Sequence, residues 1–160
     1  MNKLLLIRQI LCTLETVHQN AITATERAQD TATNKNNVAE NKYDTLGLEA
    51  AYLAHGQAQR VAECQMDLSA YKTLVATDFD DQAPIAIGTL IQLKDENDLL
   101  QYFFLGPAAG GLKFSFQQEE IMLITPSAPL GKALLGSFVE EEVALAMGGQ
   151  IKHYQIMAIS

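Results

Sequence analysis

The residues of this sequence that could do chemistry are few and widely spaced. The three histidines, His18, His55 and His153, are far apart, and the two cysteines, Cys12 and Cys64, lack the spacing of metal ligands. The sequence contains no nucleophile elbow, P-loop or dinucleotide-binding fingerprint. We therefore expect no catalytic site and two reduced cysteines. We interpret His18 as a histidine tolerated at the core or edge of a helix face and not as a ligand.

A glycine-rich segment and a group of aromatic residues are the remaining candidates for a binding site. The segment 106–111 follows a predicted strand without opening a clear helix, so a structural loop is favoured over a phosphate cradle. Aromatic residues that alternate along strands are more typical of a core than of a pocket, and we interpret the following five as core residues: Tyr102, Phe103, Phe104, Phe114 and Phe116.

Composition and charge limit the class of protein. The chain has 160 residues, of which 48% are hydrophobic, and its net charge is -8. The acidic balance argues against strong independent binding to nucleic acid by counterion release. The sequence lacks an apolar run long enough to span a membrane, and Arg8 and Glu15 interrupt the short apolar start, which does not fit a signal peptide. We expect a cytoplasmic protein with no membrane partner.

Two long helices are predicted before residue 77. Apolar and small residues recur at alternating spacings of three and four, which is typical of a coiled-coil seam. The segment 30–42 loses this period and accumulates Asn and Thr, which favour turns. Two helices with a short link pack antiparallel, so residues 1–76 are predicted to form an antiparallel coiled-coil hairpin. The seam residues are Leu4, Ile7, Leu11, Leu14, His18, Ala21, Thr25 and Ala28, then Leu46, Ala50, Leu53, Gln57, Val61, Cys64, Leu68, Tyr71 and Val75.

A small sheet domain is predicted after a polar, acidic linker at residues 77–84. Its expected antiparallel strands are 85–93, 99–105, 119–125, 139–147 and 151–159. The last two form a hairpin around Gly148-Gly149, and a short helix starts near Pro129 and stops at Gly136. The predicted fold class is therefore α+β, with a helical hairpin followed by a small antiparallel-sheet domain over residues 85–160.

The most distinctive motif is Ala128-Pro129-Leu130-Gly131-Lys132-Ala133-Leu134-Leu135-Gly136. It resembles the C-terminal domain of the Gre-type transcription elongation factors, whose pattern there is Ser-Pro, a small apolar pair, Arg or Lys, and Ala-Leu-Leu-Gly. Ala128 stands in place of the usual serine, and Val139-Glu140-Glu141 stands where the family continues with Val-Gly-Asp. The resemblance is fairly specific over residues 120–159 and weaker over the N-terminal half. It implies an FKBP-like C-terminal domain.

The resemblance also implies a partner. Gre-type factors insert the hairpin into the secondary channel of bacterial RNA polymerase, where two acidic tip residues help to hold a second Mg²⁺ that promotes cleavage of backtracked RNA. By resemblance, RNA polymerase is the partner, and the loop Ser127-Ala128-Pro129 docks on it. The chain would then need no cofactor of its own, and Mg²⁺ would be shared only within the polymerase complex.

The tip of the hairpin departs from the family pattern, which is an acid, two residues, Glu-Asn and then a tyrosine. The nearest match runs from Asn37 to Asn41 and is followed by Tyr43, so Glu40 takes the second acidic position and the neutral Asn37 takes the first. Asp44 lies about one helical turn past Glu40, which makes Glu40 and Asp44 the candidate metal ligands. Both acids also fit a solvated helix start, where carboxylates favour the helix dipole.

Three functions stay open at this point. The first is a Gre-like regulator that occupies the secondary channel and is not itself an enzyme. The second is a cleavage-stimulating elongation factor proper, which needs two acids at the tip and at most stimulates the polymerase's own RNA cleavage. The third is a peptidyl-prolyl isomerase or peptide-binding chaperone with a coiled-coil handle, which needs an open apolar pocket.

Overall fold

The computed structural model describes residues 2–33 and 46–160. Two long helices, α1 (Lys3–Thr33) and α2 (Leu46–Lys72), precede a sheet and a short helix, α3 (Pro129–Leu134). This confirms the predicted fold class, a helical hairpin followed by a small α+β sheet domain. The strands among the described residues are β1 (Leu90–Asp95), β2 (Leu100–Leu105), β3 (Lys113–Phe116), β4 (Glu119–Ile124), β5 (Glu142–Met147) and β6 (Gln150–Ile159).

The sheet has six strands in the order β3-β4-β2-β1-β6-β5. The sequence predicts five antiparallel strands, and two features differ from that prediction. The short strand β3 was not predicted. It lies between β2 and β4 in the sequence and pairs antiparallel with β4, so the chain reverses twice and β4 pairs parallel with β2. The first strand begins at Leu90 instead of residue 85, since Gly88 adopts a φ of 98° and turns the chain just ahead of it.

The described contacts divide the chain into two compact units. One comprises Cys12–Ser69, and the other comprises Met1–Leu11 together with Ala70–Ser160. In the unit Cys12–Ser69, the buried residues Leu14, Ala21 and Ala28 belong to the predicted seam of α1. Cys64 and Leu68 are buried on α2 and also belong to the predicted seam, whereas the seam residue Leu53 is 56% exposed.

The buried face at the start of α1 only partly matches the predicted seam. The seam residue Ile7 is buried together with Leu6 and Ile10, which lie outside the seam, whereas the seam residue Leu4 is 66% exposed. These first turns belong to the unit that contains the sheet, where Tyr71 at the end of α2 also packs. The centroid of the Tyr71 ring lies 6.4 Å from that of Phe104 on β2. The sheet therefore recruits apolar side chains that the seam pattern assigns to a partner helix.

Both faces of β2 are buried. Successive strand residues point to opposite faces, and Phe103 and Phe104 are both nearly inaccessible. Phe103 joins a core with Ile91 and Leu134 of α3, while Phe104 faces Tyr71. Two of the five aromatic residues singled out in the sequence thus serve two separate cores. Phe114 is also buried, and Tyr102 and Phe116 are half-buried.

A buried lysine lies where the start of α1 meets the sheet domain. Lys3 is 4% exposed, and its ammonium group donates to the carbonyl oxygen of Gly88 at 2.7 Å and to the backbone oxygen of Ser160. The Nζ atom also lies 5.2 Å from the ring centroid of Phe79 and 5.8 Å from that of Phe104. Burial lowers the pKa of Lys3 to about 8, against a smaller opposing effect of the Asp78 carboxylate.

The entry to β5 contains a β-bulge at a residue with a positive φ. The Glu140 N–H donates to the Ile156 oxygen at 2.8 Å, and the Ile156 N–H donates to the Glu141 oxygen at 2.9 Å. Glu140 and Glu141 therefore both lie opposite the single residue Ile156, and Glu140 has a φ of 73°. This is the geometry of a G1 bulge, in which that position favours glycine. Glu140 occupies it although an L side chain is strained there.

The first prediction concerns Lys3 and pH. Its pKa of about 8 is below the value of 10.5 expected for an unfolded chain, so the unfolded state binds more protons between these pH values. The contribution of Lys3 to the free energy of unfolding should be constant below pH 8 and should rise by up to about 3 kcal/mol as pH increases to 10.5. Denaturant unfolding of the wild type and Lys3→Met across this range measures the difference.

The same substitution at an exposed lysine, Lys72→Met, controls for general effects of charge. A wild-type minus Lys3→Met difference that stays flat from pH 8 to pH 10.5 would show that the ammonium group carries no desolvation penalty.

The second prediction concerns Glu140. Glu140→Gly should raise the free energy of unfolding by about 0.5–1 kcal/mol, because relief of the positive φ outweighs the extra entropy of an unfolded glycine. Ala144→Gly is the matched control. Ala144 lies within β5 and is exposed, and a glycine there should lower the free energy of unfolding. Equal destabilisation by the two glycines in thermal or denaturant unfolding would contradict the assignment of strain to Glu140.

Candidate functional site

The candidate site residues fall into two groups, the hairpin tip and the loop before α3. The tip residues Asn37, Glu40, Asn41, Tyr43 and Asp44 lie outside the described residues. Their assignment as a tip, with Glu40 and Asp44 as candidate metal ligands, stays a prediction from the sequence. The second group, Ser127-Ala128-Pro129, is described in full.

The loop from β4 to α3 is a tight turn. The Ala128 N–H donates to the Thr125 oxygen at 3.0 Å, and the hydroxyl groups of Thr125 and Ser127 are 2.9 Å apart. Ala128 is the N-cap of α3 with an extended conformation, and no side chain caps the helix. A serine at this position could accept a hydrogen bond from the first turn of the helix, which alanine cannot do. Pro129 then opens the helix, where its missing N–H costs no hydrogen bond.

Half of the motif holds α3 against the sheet domain. Gly131 packs so closely on the turn that a Cβ there would collide with the Thr125 carbonyl group. Leu134 is fully buried in the core, and Gly136, with a φ of 85°, ends the helical segment. The Gly136 N–H donates to the Ile85 oxygen at 2.8 Å, which fixes the exit from α3 to the segment before β1. Packing and backbone conformation therefore account for the residue types at these three positions.

The other half of the motif faces solvent. Ser127, Pro129 and Lys132 are exposed, and Leu135 is 47% exposed at the end of α3. Phe138, two residues past Gly136, is 42% exposed. Leu135 and Phe138 were not predicted as surface residues. The signal in the sequence is that both lie after the last buried helical position, Leu134. The loop and the end of α3 together present apolar and polar groups to solvent.

A polar cluster lies at the C-terminal end of β1, around the turn to β2. His153 Nδ1 lies 2.6 Å from Glu142 Oε1, and the His153 N–H donates to Glu96 Oε1 at 3.0 Å. Asp95 accepts hydrogen bonds from the N–H groups of Asn97 and Leu99, which closes the turn from β1 to β2. Across residues 2–33 and 46–160, no three His, Cys, Asp or Glu side chains are arranged to hold a metal ion. The cluster thus links the β1–β2 turn to the last hairpin.

Comparison with known proteins gives structural matches alone. No protein-family model matches the chain, and no curated protein sequence matches it. Among solved structures, the chain is similar to GreA factor homolog 1 (Gfh1) of Thermus thermophilus, with 18% identity over 96% of this chain and 92% of that chain and a TM-score of 0.36. It is also similar to Gfh1 of Thermus aquaticus, with 19% identity over 95% of this chain and 92% of that chain and a TM-score of 0.38.

A third similar structure is the prokaryotic transcription elongation factor GreA/GreB from Nitrosomonas europaea. It shares 15% identity over 71% of this chain and 92% of that chain, with a TM-score of 0.34. Separately, none of the described helices is both long enough and apolar enough to cross a membrane.

Proposed function

We propose that this chain is a Gre-like transcription factor that binds bacterial RNA polymerase and regulates elongation by placing its helical hairpin in the secondary channel. The observation that carries the proposal is the motif at residues 128–136, which resembles the Gre-type C-terminal domain. Its buried half builds α3, and its exposed half faces solvent. A long helical hairpin ahead of the sheet domain is the second element that such a factor requires.

The exposed half of the motif is the proposed docking surface on the polymerase. Ser127 and Pro129 project from the turn before α3, and Lys132 follows one helical turn later. A rigid proline in a turn loses little conformational entropy on binding, which favours it as a contact residue. Because Gly131 and Leu134 carry the packing, the docking residues can be changed without disturbing the core.

The tip residues decide which kind of Gre-like factor this is. A metal between the helix ends would meet the carboxylate of Glu40 and that of Asp44 at most, because Asn37 is neutral. An amide oxygen can ligate Mg²⁺ but brings no charge to offset the cation. Electrostatic interactions supply much of the stabilisation in such a site, so losing one tip charge should weaken it greatly. We therefore favour a channel-occupying regulator over a cleavage-stimulating factor.

The third prediction tests docking. Immobilised bacterial RNA polymerase core should retain the wild type, and Pro129→Ala should weaken binding about tenfold, as expected for one contact residue at the centre of an interface. The thermal midpoint of Pro129→Ala should stay close to that of the wild type. The matched control is Pro84→Ala, an exposed proline outside the motif, which should bind normally.

Gly131→Ala serves as the packing control for the same motif, and it should lower the thermal midpoint as well as binding. The docking proposal fails if the wild type is not retained, or if Pro129→Ala loses binding only together with folding.

The fourth prediction tests the tip. In a stalled, backtracked transcription complex, the wild type should stimulate RNA cleavage weakly or not at all, and Asn37→Asp should increase cleavage at least tenfold by restoring the second charge. Adding Glu40→Gln to Asn37→Asp should remove that gain, whereas adding Asp44→Asn should leave it. Wild-type cleavage as strong as that of an authentic Gre factor would show that the regulatory assignment is wrong.

A further inference from the structure

The strand β5 forms an open edge of the sheet. In the described part of the chain, β5 pairs with β6 on one side and with no strand on the other. An edge strand presents unpaired N–H and C=O groups to solvent, which makes it a template for another strand. Which of its backbone groups point outward follows from the register of the last hairpin.

Both ends of the hairpin give the same register. At the bulge, Ile156 exchanges hydrogen bonds with Glu141 and Glu140. At the turn, Gly148 and Gly149 both have positive φ, and Met147 pairs with Gln150 across this two-residue loop. Hydrogen-bonded and non-hydrogen-bonded pairs alternate along an antiparallel ladder. The N–H and C=O groups of Val143 and Leu145 therefore point to β6, and those of Glu142, Ala144 and Ala146 point to the open edge.

Apart from the charge of Glu142 at its start, the open edge lacks the devices that usually protect one. Natural edge strands carry lysine, proline or a bulge that blocks further pairing. From Val143 to Ala146 the strand reads Val-Ala-Leu-Ala, and its bulge lies before it, at Glu140. Ala144 and Ala146 are exposed, and their small side chains leave the outward backbone groups accessible.

We infer that β5 pairs antiparallel with β5 of a second copy of this chain, joining the two sheets across a two-fold axis. With Ala144 at the axis, Ala144 lies opposite the partner's Ala144, and Val143 lies opposite the partner's Leu145. Glu142 then lies opposite the partner's Ala146, so no two acids face each other directly. Each copy supplies three residues with outward donors and acceptors to the same ladder.

Charge favours the antiparallel, two-fold pairing of two copies over a parallel one. The run Glu140-Glu141-Glu142 lies at one end of β5, and Lys152 lies on β6 near the other end, opposite Leu145. The two-fold pairing keeps the acidic runs of the two copies at opposite ends. It also brings the end of the hairpin that carries Lys152 to the level of the partner's Val143, one residue from the partner's acidic run. A parallel pairing would instead align the two acidic runs, at a cost in repulsion.

An exposed apolar side chain extends the same surface. Ile151 on β6 lies directly across from Ala146 and is 63% exposed. In the two-fold arrangement, Ala146 lies next to the partner's Glu142, and the apolar face formed by Ile151, Ala146 and Ala144 continues into the partner's Ala144. Pairing therefore removes apolar surface from water on this face in addition to forming the ladder.

The test is the oligomeric state in solution. Sedimentation equilibrium over a concentration series at 150 mM salt should show a monomer–dimer equilibrium for the wild type, since repulsion from the net charge of -8 is then screened beyond about 8 Å. Ala144→Pro removes an outward donor in each copy and leaves the bonds between β5 and β6 intact. It should raise the dimer dissociation constant about tenfold or more.

Two further measurements keep the test decisive if the proline disturbs the strand. Ala144→Lys should also weaken the dimer, whereas Met157→Lys, which adds the same charge to an exposed position on β6 away from the edge, should have a smaller effect. In wild-type hydrogen exchange, the amides of Ala144 and Ala146 should become protected as concentration rises, and those of Val143 and Leu145 should be protected throughout. A wild type that stays monomeric, or a dimer that Ala144→Pro and Ala144→Lys leave unchanged, would overturn the inference.

Discussion

A buried ammonium group ties the first turn of α1 to the sheet domain. Lys3 donates to Gly88, just ahead of β1, and to Ser160, just after β6, so one side chain joins segments that are remote in sequence. A charge removed from water is costly unless its hydrogen bonds are replaced, and here backbone oxygens and two aromatic rings replace them. With Lys3 held in this way, Leu6, Ile7 and Ile10 are buried in the unit that contains the sheet.

The motif before and within α3 separates packing from recognition. Gly131 and Leu134 allow the short helix to lie against the core, and an alteration at either position would be felt throughout the domain. Pro129 and Lys132 contribute little to that packing because they face solvent. A surface of this kind can change its partner without loss of the fold, so the exposed residues and not the fold determine the function.

The last hairpin shows how local backbone choices determine a surface. Two glycines with positive φ set the turn, and a bulge at Glu140 sets the other end of β5. Together they fix which backbone groups bond to β6 and which face the open edge. Glu140 stands where the resembled family has glycine, and the positive φ persists there because the bonds of Ile156 to Glu140 and Glu141 hold it in place.

Much of the secondary structure was predictable from local patterns in the sequence. The spacing of Leu14, Ala21 and Ala28 identified a buried face of α1, Gly148-Gly149 identified the last turn, and Pro129 and Gly136 bounded α3. The motif at 128–136 also identified the loop of the candidate site, and the tip assignment of Glu40 and Asp44 comes from the sequence alone.

Tertiary structure decided the parallel pairing of β4 with β2, the burial of Lys3 and the exposure of Leu135 and Phe138. The physical reason is that periodicity encodes which side chains share a face, whereas the group that covers a face comes from segments far away in the chain. Lys3 illustrates this. From the sequence, a single lysine at a helix start is expected to be solvent-exposed, and only the fold brings the backbone oxygens of Gly88 and Ser160 next to it.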